Sequence, residues 1–559
     1  MKILITDGSY KHSLGILVSL RSLGHEVDFI GDRKSICNFA GGLGALALQE
    51  EKFYKLSTEA FSNFCSSKNY DAVLPIGAKS VRKISECCKE PHVAKRCIVP
   101  TPNLYDIACN KHEMSKIASQ LDFDVPKSTL LSSYTDMGKL QELPSEIVIK
   151  GVGEEIKVGP YYFDNHYSAA KFLKHYSFDT PLLAQERVAG VGVGYFGFFV
   201  EGKCITDYMH KRIREYPITG GVSCAAELYY NEKLVKFGRS LLEHLKWNGV
   251  AMVEFKFDEQ EQKLWFIELN PKFWGSHDLA LSANINIPVK ILKELDNNQS
   301  DDQEIKLDQL RFIWPLDGDL NSMFSSKERF YKTFLDLMNP TVKSNLHWKQ
   351  PKLFIRQLIQ YVKDLLVQNS YVRAFRNLIA RLRNIGFYLT AVRFVTEKTG
   401  VPLARYSRIE KNIWLGPQHS KLGKHYLQKK KINACLSLRA IKDDTEIGVA
   451  LQNYLNIPVN EYHAPTASQL VDGARFIKTQ VDCDQGVYVH CREGISRAAV
   501  FLAAYLIIHK GHSAKSAIEL IKKRRPFINI LLNQQNVLIM LDKSEAKNNN
   551  YNETTPETT

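Results

Sequence analysis

A chain of 559 residues is too long for one hydrophobic core, so two large domains and a connector are expected. Its 44% hydrophobic and 24% charged residues are ordinary for soluble globular protein, and its eleven cysteines show no paired spacing and no Cys-x2-Cys. That argues against a disulfide framework or a zinc site and fits a reducing cytoplasm, while a net charge of +14 favours acidic partners such as phosphates, anionic lipid or nucleic acid.

Residues 2–6 read as a strand; with no apolar h-region or cleavage site they are not a signal peptide, and no apolar run reaches the roughly 18 residues that cross a bilayer. Asp7 and Gly8 follow, then a helical stretch to Leu23 and a second strand at 26–30 closed by Gly31. This is a βαβ opening with its turn at the carboxyl end of the sheet. The dinucleotide fingerprint G-x-G-x-x-G is absent, and residues 71–77 repeat the strand pattern, so residues 1–100 are expected to form a small Rossmann-like domain.

From Asn110 onward the spacing of charged residues carries the reading. Lys111 opens a helix, and Lys150 ends a strand before a loop containing Gly151 and Gly153, so two lysines can grip the phosphates of a nucleotide. Residues 181–188 form an apolar strand that turns polar at Gln185 and Glu186, against whose backbone edge, up to Val188, an adenine can lie. Residues 251–256 and 264–270 read as adjacent strands joined by a polar turn. Side chains on a strand share a face every second residue, which places Glu254, Glu268 and Asn270 together. Two carboxylates and an amide oxygen are hard ligands suited to Mg²⁺ bridging nucleotide phosphates.

This order of residues resembles the ATP-grasp superfamily of carboxylate–amine ligases and biotin-carboxylase-like enzymes, over roughly residues 1–300. The resemblance implies a pre-ATP-grasp domain at 1–100 and an ATP-grasp domain at 101–315. It implies ATP contacts from Lys111, Lys150, Gln185, Glu186, Val188, Arg212 and Arg214, and Mg²⁺ held by Glu254, Glu268 and Asn270. Arg212, Arg214 and the loop 219–223 resemble the basic segment beside the transferred phosphoryl group. Lys272 stands where arginine is more usual, and Glu154 and Glu155 occupy a loop where small residues are common. Such enzymes phosphorylate a small-molecule carboxylate with ATP, and an amine or related nucleophile then attacks.

Residues 316–405 are expected to be a basic helical connector. The stretches 353–366 and 371–383 are amphipathic at helical period with arginines on the polar side. Such helices can lie on an anionic membrane surface or pack on a neighbouring domain with their arginines in water.

The segment His490, Cys491, Arg492, Glu493, Gly494, Ile495, Ser496, Arg497 lies between an apolar strand at 486–489 and an apolar helix beginning at Ala498. A strand, a tight loop and a helix N-terminus let successive backbone N–H groups curl around a phosphate, and the same field favours a thiolate at Cys491. Arg497 supplies a planar fork for two phosphate oxygens, Ser496 a hydrogen bond to sulfur, and His490 orients the loop from behind. Arg492, Glu493, Gly494 and Ile495 supply the cradle.

This Cys-x5-Arg segment resembles the protein-tyrosine and dual-specificity phosphatase signature, with residues 412–417, 432–439 and 525–528 extending the likeness across a domain at 406–546. Members use an Asp on a loop upstream of the cysteine to protonate the leaving oxygen. This chain has none there; the resemblance places Glu461 on the acid's position, with Asn460 as the alternative register. No metal is expected in this half. Residues 547–559, poor in apolar side chains, are expected to be a disordered tail.

The expected whole is an α/β chain joining an ATP- and Mg²⁺-dependent ligase to a phosphatase acting on a phosphorylated small molecule or phosphoprotein. The alternative is a regulatory phosphatase whose ATP-grasp half binds or senses nucleotide. Peripheral contact with anionic membrane is compatible with the connector, and no specific nucleic-acid reader is present.

Overall fold

The computed structural model describes residues 1–153, 158–173, 176, 178, 180–218, 220–297, 310–323, 325–368, 370–440, 443–461 and 463–552, with side chains left out at 367–378 and 546–552. The expected loop members Glu154, Glu155 and Thr219 therefore lie outside the described residues. The chain is of the expected α/β class and divides into two compact units, the first ending at Leu365 and the second running from Leu366. No helix among the described residues is long and apolar enough to cross a membrane.

The first unit opens with a parallel sheet in the order β3-β2-β1-β4, made of β1 (Lys2–Ile5), β2 (Glu26–Gly31), β3 (Leu46–Gln49) and β4 (Ala72–Leu74). Its central strands are apolar on both faces because helices cover both. The helix Lys11–Ser22 buries Leu14, Ile16, Leu17 and Leu20 against this sheet. A second, antiparallel sheet follows in the order β5-β8-β6-β7, from β5 (Ser128–Leu131), β6 (Ile147–Gly151), β7 (Tyr161–Phe163) and β8 (Leu182–Glu186).

The largest sheet has seven strands in the order β13-β12-β9-β10-β11-β14-β15. These are β9 (Val191–Val200), β10 (Lys203–Tyr216), β11 (Val222–Leu228), β12 (Gly249–Asp258), β13 (Lys263–Asn270), β14 (Arg311–Ile313) and β15 (Lys343–Ser344). Phe255, Phe257 and Phe266 turn into one core with Tyr195 and Trp247, which leaves Glu254 and Lys256 on the other face of β12. The connector expected at 316–405 is not one segment. Its first part adds β15 and the helices Asp319–Met323 and Lys327–Met338 to this unit, and Leu353 of the helix Pro351–Gln368 is fully buried in the unit's core. The polar cause is Arg214, which draws Asp319 and Asp336 of those helices onto β10.

The second unit is built on a five-stranded sheet, β16-β17-β20-β18-β19, from β16 (Arg408–Glu410), β17 (Ile413–Gly416), β18 (Ile432–Ser437), β19 (Asn453–Asn456) and β20 (Gly486–His490). β20 is buried along its whole length between parallel neighbours β17 and β18. The helix Arg497–Lys510 that follows is apolar all round and buried from Arg497 to Ile507, enclosed by the helices Ala467–Asp482, Ala514–Arg524 and Leu532–Asn552. Helix Leu532–Asn552 runs past the expected boundary at 546, so the start of the predicted tail is helical, and 553–559 lie outside the described residues.

Candidate active sites

The loop between β20 and the helix Arg497–Lys510 carries Cys491, 3% exposed. Its carbonyls are tied outward: that of Arg492 accepts from the Gln418 N–H at 3.2 Å, that of Gly494 from Arg525 Nε at 2.7 Å, and that of Ile495 from the Asn529 N–H at 3.1 Å. In a trans peptide the next N–H points opposite its carbonyl, so the N–H groups of Glu493, Ile495 and Ser496 are turned toward the inside of the loop. Gly494 has φ +64°, and a Cβ there would stand 2.1 Å from the Gly416 carbonyl carbon, so only glycine lets the loop close on β17.

Arg497 sits at the helix start with 6% exposure. Its Nη1 donates to the Val459 carbonyl at 2.7 Å and its Nη2 to Glu461 Oε1 at 3.1 Å. Arg492 Nη1 meets the other Glu461 oxygen at 3.4 Å, so one carboxylate spans both arginines. The strand β19 delivers Glu461 here through residues 457–461, and Gln534 Nε2 holds the His463 carbonyl just beyond at 2.8 Å. The Ser496 hydroxyl departs from the expected bond to sulfur: it donates to Gln534 Oε1. Glu493 is turned to the helix Ser370–Thr399, where Arg393 Nη2 donates to it at 2.5 Å and Arg381 lies 3.7 Å away. Arg381 is thus paired, not left in water as the amphipathic pattern suggested, and Arg373 and Arg376 are among the undescribed side chains.

Behind the loop, fully buried His490 lies with Nε2 2.8 Å from Asp444 Oδ2 and Nδ1 3.4 Å from the Cys491 carbonyl. Burial pushes the Asp444 carboxyl up, but hydrogen bonds from His490 and Gln418 outweigh it and hold the group below the usual carboxylate range. Arg439 was quoted in the sequence only as the end of the 432–439 stretch of the family likeness and given no site role. Burial, reinforced by Arg497 and Arg492, lowers its guanidinium pKa, and Glu461 and Cys491 act on it in the other direction, which locates it beside the same pocket. Arg525, quoted only as part of the family likeness, is a 1%-exposed brace joining the loop to the Tyr406 carbonyl.

In the first unit, Glu254 and Glu268 stand directly opposite one another across β12 and β13, and Met252 is opposite Asn270. Asn270 Nδ2 donates to Glu268 Oε1 at 2.9 Å, which leaves the amide oxygen free to accept. Lys111 Nζ lies 3.3 Å from Glu268 Oε2, and Arg212 Nη2 lies 2.8 Å from Glu254 Oε1. Asn110 caps the helix Lys111–Gln120 by accepting from the N–H groups of His112 and Glu113, and the Lys111 N–H reaches the Val152 carbonyl, which sets Lys111 beside β6. Burial lowers the Lys150 ammonium to about 8 against the pull of Glu268. Burial would raise Glu268, but Lys111 and Lys150 overturn it and hold the carboxyl low, whereas burial leaves Glu254 raised despite Arg212.

Gln185 is buried, with Nε2 lacking a partner among the described residues. Glu186 Oε2 accepts from the Lys127 N–H at 3.1 Å, and the Val188 carbonyl accepts from Lys256 at 3.2 Å. Arg214 is a correction to the expected nucleotide contacts. The register of β10 against β11 slips between Arg212 and Arg214, and a bulge reverses which face the following residue uses. Arg214 therefore points away from Glu254 and lies buried with Asp319 at 2.7 Å and Asp336 at 2.6 Å.

A third basic cluster was missed because its members are far apart in the chain. Among the described residues, Lys11 Nζ is buried without a hydrogen-bond partner, 4.9 Å from the Trp314 ring centre, and both ring nitrogens of fully buried His277 also lack one. Burial, then Lys11, His277 and Lys272, bring His12 down to about 3, so these groups share one neighbourhood at the start of the helix Lys11–Ser22.

Residues 413–544 match the family model of the dual specificity phosphatase catalytic domain. The chain is 30% identical over 144 residues to the human phosphatidylglycerophosphatase and protein-tyrosine phosphatase 1, a match covering 24% of this chain and 71% of that protein. It is 38% identical over 76 residues to human dual specificity protein phosphatase 4, covering 13% of this chain and 19% of that relative, so it spans about a fifth of that protein's length. Among solved structures, it is similar to a biotin carboxylase–ATP-analogue complex from Campylobacter jejuni at 14% identity and a TM-score of 0.45, over 56% of this chain and 74% of that one. With its Cys-x5-Arg loop seated between β20 and a buried helix, the chain belongs, through residues 413–544, to the dual specificity phosphatase family.

Proposed function

We propose that the chain is a bifunctional enzyme: a cysteine-dependent phosphomonoester phosphatase in the second unit and an ATP-dependent carboxylate–amine ligase in the first. The observation that carries the first activity is the loop whose carbonyls are tied outward and whose N–H groups face inward around Cys491. The Cys491 thiolate attacks phosphorus, the inward N–H groups and Arg497 hold the equatorial oxygens, and Glu461 gives its proton to the leaving oxygen. Glu461 then takes a proton from the water that hydrolyses the phospho-cysteine. A thiolate nucleophile needs reducing surroundings, which supports a cytoplasmic location.

The ligase reading is supported by the paired Glu254 and Glu268, the acceptor oxygen of Asn270, and the flanking Lys111 and Lys150. These three oxygen donors fit Mg²⁺, which when bound neutralises phosphate charge. Lys111, Lys150 and Arg212 would hold the phosphates of ATP, and the orphaned amide of Gln185 and the edge at Glu186–Val188 would take the adenine. Lys11 and His277 would pair with the substrate carboxylate. The test is ATP consumption by the full chain against panels of carboxylates and amines. The reading expects turnover that needs both co-substrates and is lost in Glu268→Gln; nucleotide binding without turnover on any panel member would favour a sensing module.

A further inference from the structure

Beneath the phosphate-binding loop lies a polar cluster that the phosphatase chemistry does not use in full. His419, Cys435, Asp444 and His490 are each at most 1% exposed. One nitrogen of each histidine, the Cys435 sulfur and an Asp444 oxygen all lie within 4.8 Å of one another. They come from four separate places: His419 just beyond β17, Cys435 within β18, Asp444 in the segment before β19, and His490 at the end of β20. We propose that these four side chains form a closed site for a zinc-like divalent transition-metal ion.

The donor set is that of a structural zinc site, with two imidazoles, a thiolate and a carboxylate. The groups around it are already placed as metal ligands require. The Nε2 of His419 lies 2.7 Å from the Val449 carbonyl, which fixes its proton there and leaves Nδ1 as the lone-pair nitrogen. That Nδ1 is buried and has no hydrogen-bond partner among the described residues. Gln418 Nε2 holds Asp444 Oδ1 at 2.9 Å, so Oδ2 faces His490 Nε2 at 2.8 Å and Cys435 Sγ at 3.8 Å. With its Nε2 on the ion, His490 keeps Nδ1–H for the Cys491 carbonyl.

Size and charge also agree. Tetrahedral ligands at about 2.0–2.3 Å from an ion stand about 3.3–3.8 Å apart, so the cluster must contract by roughly 1 Å at its widest and open slightly between His490 and Asp444. Thiolate and carboxylate together neutralise a dication, which makes the buried site uncharged overall. Binding releases the Cys435 thiol proton to solvent, and His490 binds through Nε2 as the neutral Nδ1–H tautomer, with no change of oxidation state. The ion would tie the ends of β17, β18 and β20 together at the root of the catalytic loop, so part of its binding free energy becomes stability of that loop.

The test uses the full chain carrying Cys491→Ser, so that the catalytic thiol is not a competing ligand. The protein is loaded with Zn²⁺ or Co²⁺, dialysed, and analysed for metal content and for the thiolate-to-cobalt absorption band. The proposal expects about one retained equivalent and a cobalt–thiolate band. Both are lost in Cys435→Ser, and in His419→Ala, where the sulfur is intact, so loss of the band there reports the site and not the missing thiol. Zn²⁺ is also expected to raise the thermal midpoint of the Cys491→Ser chain without raising that of His419→Ala. This second reading needs no folded Cys435 variant. No retained metal, or retention and a band unchanged by Cys435→Ser, would overturn the proposal and leave a hydrogen-bonded core that carries no ion.

Discussion

Replacing Glu461 by glutamine separates two things its carboxylate does. In the structure it spans Arg497 at 3.1 Å and Arg492 at 3.4 Å, so a phosphate that takes Arg497 must first displace it. The Arg492 contact is exposed and contributes about 0–1 kcal/mol. The Arg497 side chain is 7% exposed but Glu461 is 37% exposed, so the ~1.5–3 kcal/mol of a charged hydrogen bond is reduced by solvent to about 1 kcal/mol. Glu461→Gln should therefore bind inorganic phosphate or vanadate about fivefold tighter. It should also lose about 10²–10⁴ in kcat on alkyl phosphates, whose leaving oxygen needs a proton, and much less on aryl phosphates, whose leaving group does not. The assay is a leaving-group series in kcat/KM run beside inhibition constants for phosphate. Equal losses across the series would remove Glu461 from the acid's role, and an unchanged phosphate constant would show that its grip on Arg497 has no cost.

Four further expectations come from other parts of the chain. Because Lys150 titrates at about 8, ATP affinity should weaken as pH rises through that value, and Lys150→Arg should flatten the profile; a parent profile already flat from pH 7 to 9.5 would contradict this. The same lowering from 10.5 means the folded state holds fewer protons than the unfolded one, so this group's contribution to stability rises between about pH 8 and 10.5. Arg214→Ala leaves buried Asp319 without its arginine, while Asp336 keeps Arg311 at 3.0 Å, and should cost the first unit about 3–5 kcal/mol in denaturant titrations; a variant of unchanged stability but weakened nucleotide binding would return Arg214 to the proposed nucleotide site. Arg393→Ala leaves Glu493 with only Arg381, 3.7 Å away, and should lower phosphatase kcat/KM about tenfold, within the ~10² that a misplaced catalytic group costs; an unchanged rate would show the loop stands without this brace.

The phosphate loop was legible because its chemistry is contiguous: Cys491, Gly494 and Arg497 lie within one turn between a strand and a helix. What holds that loop was not, since Asp444, Arg439, Gln534 and the arginines of the helix Ser370–Thr399 reach it only through the fold. Period-2 alternation correctly paired Glu254 with Glu268 on one face. The same rule failed at Arg214, because a bulge changes parity without leaving a mark in residue type. The connector was misjudged for a related reason: amphipathic period reports a stripe, while the partner of that stripe, or of Arg381 and Arg393, is a tertiary fact. No spacing rule joins His419, Cys435, Asp444 and His490, or Lys11 and His277, because each set is assembled from distant segments.

The most direct check on the account is a single-variant comparison at the loop itself. Cys491→Ser should lose hydrolysis of an aryl phosphate by several orders of magnitude while still binding phosphate, because Arg497 and the inward N–H groups are untouched. Hydrolysis that survives the substitution would contradict the assignment of Cys491 as the nucleophile and with it the central claim.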